Sequence, residues 1–226
     1  MTPESEMTAI QAVFFDVGET IVDETREYGT WADWLGVPRH TFSAVFGAVI
    51  ARGWDYRDTF QYFKPGFDLD IERERRAAVG EAETFGEENL YPDVRPCLVA
   101  LREQGLRVGL AGNQTSRAET ILRSLDLPVD VIGTSDGWAV EKPASGFFER
   151  VIAEAGCPPE SVLYVGDRFD NDIRPAQGAG IATALICRGP WGHILDDEEA
   201  SVRCLFRMYS LGELPDLVAK YNADPQ

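Results

Sequence analysis

Two four-residue apolar runs, Ala12-Val13-Phe14-Phe15 and Val162-Leu163-Tyr164-Val165, each stop at an acid. Asp16 follows the first directly, and Gly166-Asp167 follows the second, with Asn171 and Asp172 close behind. A short run without polar alternation is the pattern of a strand buried on both faces, and such strands build parallel sheets covered by helices. A carboxylate at the C-terminal edge of such a strand stands where open α/β sheets place their chemistry. Two strand tips that each deliver acids to one place suggest a metal-dependent site with a carboxylate nucleophile.

The rest of the chain divides around these tips. From 22 to 88 there is no strand pattern. Phe42, Val45, Phe46 and Val49 repeat at helical spacing, with Pro38 in the first turn and Gly53 beyond the end. Asp70 to about Thr84 also reads as helix but is largely charged (Glu72, Arg73, Glu74, Arg75, Arg76), which predicts a thin, solvated amphipathic element. The segment is therefore a helical module inserted after the first strand. From Tyr91 on, strands and helices alternate. Pro92 and Asp93 open a helix with a Val94/Cys97/Leu98/Leu101 stripe, stopped by Gly105. Strands follow at 106–111, 129–132, 162–165 and 181–187. Helices lie between them, one beginning at Ser116 and Glu119 with capping-box spacing and another carrying Phe148, Val151, Ile152 and Ala155. A last helix spans 211–221. The fold class is thus α/β, a parallel sheet with helices on both faces.

Charge and cysteines narrow the partners. A net charge of −17 argues against nucleic-acid phosphates or anionic membranes. The four cysteines (Cys97, Cys157, Cys187, Cys204) share no metal-ligand spacing and read as small core residues. Residues 1–10 carry Glu4 and Glu6 and no basic start, and no apolar stretch reaches the length of a membrane span. The expectation is a soluble, reduced, cytoplasmic protein of unread oligomeric state.

Three constellations carry possible chemistry. Asp16, Asp167 and Asp172 would face one crevice, where like charges about 4 Å apart repel by roughly 4 kcal/mol at an effective dielectric of 20. Such a cluster calls for a cation, and a few hard oxygen ligands favour Mg²⁺. Any one of these acids alone could equally cap a turn. Gly112-Asn113-Gln114-Thr115 ends a strand just before a helix, where backbone N–H groups make an anion site, although a glycine turn with a polar cap reads the same way. Lys142, one of only three lysines (64, 142, 220) in a chain whose cations are otherwise arginine, stands in Val140-Glu141-Lys142-Pro143 within reach of the crevice, unless it is a plain loop lysine.

In order and spacing, Asp16-x-Gly18-x-Thr20, the Gly112-Asn113 turn, Lys142-Pro143 and Gly166-Asp167 with Asn171-Asp172 resemble the four motifs of the haloacid dehalogenase-like hydrolase superfamily. The resemblance covers nearly the whole chain, including Tyr91-Pro92-Asp93-Val94 at the return from the insertion. It implies a Rossmann-like core at 1–21 and 89–226, with a helical cap domain at 22–88. It further implies a phosphatase in which Asp16 is the nucleophile and forms an aspartyl-phosphate, and Lys142 steadies nucleophile and phosphoryl charge. Gly112 and Asn113 would bind the phosphoryl group of a small phosphorylated substrate. Mg²⁺ would be held by Asp16, the backbone carbonyl of Gly18 and Asp167, with Asp172 as a ligand or just behind the ligands.

Two departures qualify that picture. Phosphatases of the superfamily carry a general acid/base Asp two residues after the nucleophile, where this chain has Gly18. Its second-motif Ser or Thr is here Gly112. Loss of a general acid/base costs about 10²–10⁴ in rate, or about 3–5 kcal/mol of barrier. Glu19, one residue further on, is expected to face elsewhere. Carbon–halogen hydrolysis needs no general acid, but the superfamily's dehalogenases work without the metal that Asp167 and Asp172 imply. A catalytically quiet phosphate-binding or regulatory protein is the other alternative. A phosphonate-cleaving enzyme would want a cap lysine, and Lys64 is the one candidate, in an unsupportive Phe63-Lys64-Pro65 setting. Specificity would come from the cap, where Trp31, Trp34, Trp54, Tyr56 and Tyr62 read mainly as cap core.

Overall fold

The computed structural model describes residues 8–195 and 204–223. Six strands form one parallel sheet: β1 (Ala12–Phe15), β2 (Arg107–Gly112), β3 (Val131–Thr134), β4 (Val162–Gly166), β5 (Ala182–Ile186) and β6 (Phe206–Met208), in the order β3-β2-β1-β4-β5-β6. The order reverses between β1 and β4, so the crevice for chemistry opens beyond their C-terminal ends. Phe15 pairs with Val165, and the Asp16 N–H donates to the Val165 carbonyl at 2.8 Å, which sets the two acidic tips side by side. The edge strand β6, three residues long, left no periodicity to read in the sequence.

Alternation along the strands sorts side chains into two layers. Val13, Phe15, Val108, Leu110, Leu163 and Val165 pack on α5 (Val94–Glu103) and on the last helix, Leu214–Ala223. Cys97 lies in this layer, in the stripe the sequence predicts. Ala12, Phe14, Ala111, Val162 and Tyr164 face Phe147, Phe148, Val151 and Ala155 of α8 (Ser145–Ala155). None of the four cysteines is in a disulfide, Cys97 and Cys187 being buried and Cys157 and Cys204 half-buried. Among the described residues no helix is long and apolar enough to cross a membrane.

Residues 25–78 form α1 (Thr25–Trp34), α2 (Arg39–Ile50), α3 (Asp58–Phe63) and α4 (Leu69–Ala78) around a separate aromatic cluster of Trp31, Phe42, Phe46, Phe60 and Phe67. Trp191, in α10 (Gly189–Ile194), joins this cluster edge-on to Phe46 at 5.1 Å and to Tyr56 at 6.2 Å, so an indole carried by the sheet domain anchors the helices. The remaining helices are α6 (Ser116–Ser124), α7 (Ser135–Trp138) and α9 (Arg174–Gly178), the last helix being α11.

Three local expectations are corrected. The charged helix ends at Ala78 rather than near Thr84, because Gly80 turns left-handed (φ +83) and the backbone closes back on Arg76 and Ala77. Its charged residues are not all solvated. Arg76 is buried over the Trp31 ring (4.1 Å) and donates to Thr30 Oγ1, while the buried Glu72 accepts from Trp34 Nε1 and Lys64 Nζ. Lys64 is thereby tied into the helical module. The cap of α6 is Thr115, whose hydroxyl accepts from the Ala118 N–H at 3.0 Å; Ser116 instead donates to Asp136, and Glu119 turns to Arg123 and Thr134. Of the five aromatics, Trp31 is core, Trp34 and Tyr56 pack against it, and Trp54 and Tyr62 are exposed.

Gly109 in β2 is required by close approach. A Cβ there would collide with the ring of Phe14, which is buried and cannot swing away. Gly109→Ala is expected to destabilise the protein by about 1–3 kcal/mol, which thermal unfolding would read as a loss of about 2–4 °C per kcal/mol. An unchanged melting temperature would mean that this layer is not close-packed.

Candidate active site at the strand tips

The centre of the site is an ammonium with no exposed side-chain surface. Lys142 Nζ lies 2.7 Å from Asp16 Oδ1 and 2.6 Å from Asp172 Oδ1. Three elements bring these groups together: the end of β1 carries Asp16, the loop after α7 carries Lys142, and a single π-helical turn after β4 (Phe169–Ile173) carries Asp172. The Lys142 loop is clamped by Asn113, whose side-chain amide donates to the Lys142 carbonyl (2.9 Å) and accepts from the Lys142 N–H (2.7 Å). The stem of Lys142 passes the rings of Phe147 and Tyr164, its Nζ 5.8 Å and 5.6 Å from their centroids. Burial alone would push the Lys142 pKa down, but the charges of Asp16 and Asp172 override it and hold the ammonium well above its ordinary value.

The three aspartates are not equivalent. Each oxygen of Asp172 has a partner, Oδ1 accepting from Lys142 and Oδ2 from the Arg168 N–H at 3.0 Å. Asp167 is as deeply buried, yet its Oδ2 accepts no hydrogen bond. Burial, together with the charges of Asp172 and Asp16, pushes the Asp167 carboxyl well above its ordinary range. A carboxylate oxygen from each of Asp16, Asp167 and Asp172 lies within 4.8 Å of the others, a donor set of hard oxygens that fits a divalent cation. The orphaned oxygen of Asp167 is the one lacking a partner that a cation would supply.

Both motif glycines border this cluster. A Cβ on Gly112 would lie 2.7 Å from Asp16 Oδ1, so the glycine leaves room for the carboxylate. At Gly18 a Cβ would come within 2.6 Å of Glu24 Oε1. Glu19, as the sequence predicts, faces away: it is buried in a left-handed turn (φ 51), accepts from Tyr91 Oη at 2.6 Å and packs toward Gly189.

A crevice of about 610 Å³ runs from this cluster to the helical module, past Asp16, Gly18, Asn113, Lys142 and Asp167 on one side and Tyr28, Tyr56, Arg57 and Arg73 on the other. Arg168, half-buried over Trp191 at 4.8 Å, joins the wall. The sequence did not single out Glu24, Tyr28, Arg57, Arg73 or Arg168. For the first four the only signal was position within an insertion whose helices had to be packed before any inward face existed, and Arg168 follows Asp167 directly with nothing local to show which way it turns.

The fold, with acids at the tips of adjacent central strands and a buried lysine between them, defines an α/β protein with a carboxylate cluster at the sheet's switch point. A family model described as haloacid dehalogenase-like hydrolase matches residues 10–180, and the chain belongs to that family. It is 32% identical over 137 residues to a glyceraldehyde 3-phosphate phosphatase of Methanocaldococcus jannaschii, covering 59% of this chain and 58% of that protein. It is 30% identical over 174 residues to a ribulose-1,5-bisphosphate 5-phosphatase of Halopiger xanaduensis, covering 72% and 73%. The chain spans 58%, 45% and 44% of the length of three archaeal glyceraldehyde 3-phosphate phosphatases that it matches. Among solved structures, the magnesium-bound hydrolase YfnB of Bacillus subtilis superposes with a TM-score of 0.68 at 18% identity, over 93% of this chain and 99% of that one, a likeness of fold.

The buried triad makes a stability prediction independent of activity. Lys142→Met leaves buried carboxylates without their counter-ion, and losing one partner of a buried ion pair costs about 3–5 kcal/mol. The variant should melt markedly lower than wild type at neutral pH, and Lys142→Arg should not restore it, because a planar fork does not fit a point-charge site. A wild-type melting temperature for Lys142→Met would show that the ammonium does not hold the strand tips together.

Proposed function

We propose that the protein is a Mg²⁺-dependent phosphatase of small phosphorylated substrates, acting through an aspartyl-phosphate on Asp16. The observation that carries this reading is the division of labour among the aspartates. Asp16 is held by Lys142 where it lines the crevice, both oxygens of Asp172 are partnered, and Asp167 keeps a buried oxygen without a partner. Asp16, the Gly18 carbonyl and Asp167 would hold the metal, which when bound offsets the negative charge of nucleophile and phosphoryl group. Asp16 attacks phosphorus while Lys142 orients its carboxylate and faces the charge that develops on the phosphoryl oxygens. Asn113 keeps Lys142 at that position. In this reading Asp172 orients Lys142. Helices 22–88 act as the cap, with Tyr28, Tyr56, Arg57 and Arg73 meeting the rest of the substrate. The names of the relatives, phosphatases of glyceraldehyde 3-phosphate and ribulose-1,5-bisphosphate, support a phosphorylated metabolite of a few carbons. The retained Asp167 favours this reading over dehalogenation and over a quiet phosphate-binding protein.

The test is hydrolysis of 4-nitrophenyl phosphate with and without Mg²⁺. Asp16→Asn should abolish Mg²⁺-dependent turnover while the protein still folds by circular dichroism; retention of the wild-type rate would end the reading.

The two remaining aspartates should separate by phenotype. Asp167→Asn should raise the Mg²⁺ concentration needed for half-activation, measured on the same substrate. Asp172→Asn should chiefly lower stability, because it breaks the contact with Lys142. Equal Mg²⁺ requirements in Asp167→Asn and wild type would count against Asp167 as a ligand.

A further inference from the structure

Phosphoryl transfer to Asp16 leaves an alkoxide that needs a proton, and the residue two positions after the nucleophile, Gly18, has no side chain to give one. Resting on the reading of Asp16 as nucleophile, we propose that Glu24 is the general acid of this site, its carboxyl filling the space that a side chain at position 18 would occupy.

The geometry is specific. A Cβ built on Gly18 would meet Glu24 Oε1 at 2.6 Å, Cδ at 2.8 Å and Oε2 at 3.1 Å, so the whole carboxyl group lies against the bare Cα face of Gly18. Gly18 and Glu24 border the same crevice as Asp16, Lys142 and Asp167. The glycine is accordingly the condition for Glu24 to be there: any larger residue at 18 would displace it.

Glu24 is also uncommitted. It occupies the N-cap position of α1, where an acid ordinarily accepts from the first backbone N–H groups, yet it makes no such bond. That task falls to Asp23, which accepts from the Thr25 N–H at 2.8 Å. Among the described residues no hydrogen bond reaches the Glu24 carboxyl. The nearest rival, Glu19, is bound to Tyr91 Oη and to the Glu24 N–H, and lies on the far side of the turn. The acid thus stands not in the loop after β1 but at the N-cap of α1, six residues along the chain and against the same volume.

The step balances. As the Asp16 oxygen–phosphorus bond forms, the bond from phosphorus to the leaving oxygen breaks, and the Glu24 proton passes to that oxygen to give the alcohol. The Glu24 carboxylate then takes a proton from the water whose oxygen bonds to phosphorus, as the bond to Asp16 breaks and orthophosphate leaves. Ester and water give alcohol and orthophosphate, with Asp16 and Glu24 restored.

Leaving-group dependence in the first turnover tests this, because 4-nitrophenolate departs without a proton and glycerol does not. Rapid quench with glycerol 3-phosphate and with 4-nitrophenyl phosphate should show that Glu24→Gln lowers the ratio of the two first-turnover rates by about 10²–10⁴. The double variant Gly18→Asp with Glu24→Ala should recover most of that ratio, since the new carboxyl enters the vacated space. Equal losses on both esters, or no loss on glycerol 3-phosphate, would overturn the assignment while an inactive Asp16→Asn leaves the nucleophile in place. A double variant that folds by circular dichroism, releases 4-nitrophenolate and gains nothing on glycerol 3-phosphate would overturn it as well. Full activity in Asp16→Asn would remove the reading on which Glu24 depends.

Discussion

The Lys142 ammonium, fully buried between Asp16 and Asp172, is the contact on which the arrangement at the strand tips depends. Three carboxylates within 4.8 Å of one another cannot be assembled from sheet geometry alone, because each added charge raises the free energy of the next. One cation shared by two of them offsets much of that repulsion. Its geometry in turn requires a loop held rigidly, which Asn113 achieves by bonding both polar groups of the Lys142 backbone. The second and third motifs therefore act as a unit, although about thirty residues separate them in the chain.

Sheet order explains why this charge cluster stands in one place. With β1 and β4 adjacent and parallel, the first residues beyond each strand emerge side by side. The covering layers keep water from the strands but leave the tips open, and the helices of 22–88 face that opening. Their aromatic cluster is fastened to the sheet side by Trp191, whose indole sits among Phe46 and Tyr56 while Arg168 lies over its ring. One indole thus contacts both a wall of the crevice and the packing of the helices above it.

Position 18 illustrates how chemistry is set by volume rather than by residue number. A motif read along the chain reports an empty position, whereas the folded chain has a carboxyl against it. The exchange suits a site in which Gly112 also makes room, there for Asp16 itself. In both cases glycine acts by what it admits.

Much was already legible in the residues. Unbroken apolar runs marked β1 and β4 because central strands of a parallel sheet exclude polar side chains, and the stripe Val94/Cys97/Leu98/Leu101 marked α5 because one helical face is buried. Asp16, Asp167 and Asp172 stood out because they follow apolar strand runs, and Lys142 because it is one of three lysines in a chain whose cations are otherwise arginine. Other features could not be read in this way. Glu72 and Arg76 looked solvated, since a helix does not reveal which charged residue will meet Trp34 or stack on Trp31 until a neighbour packs on it. Thr115 rather than Ser116 caps α6 because Asp136, twenty residues on, takes the serine. Local sequence determined the elements and the acids at their ends, which depend on near neighbours and on polarity. Tertiary structure alone decided that Asp167 keeps an unpartnered oxygen, that both oxygens of Asp172 are partnered, and that Glu24 lies over Gly18, because each is a contact between segments whose approach no local pattern encodes.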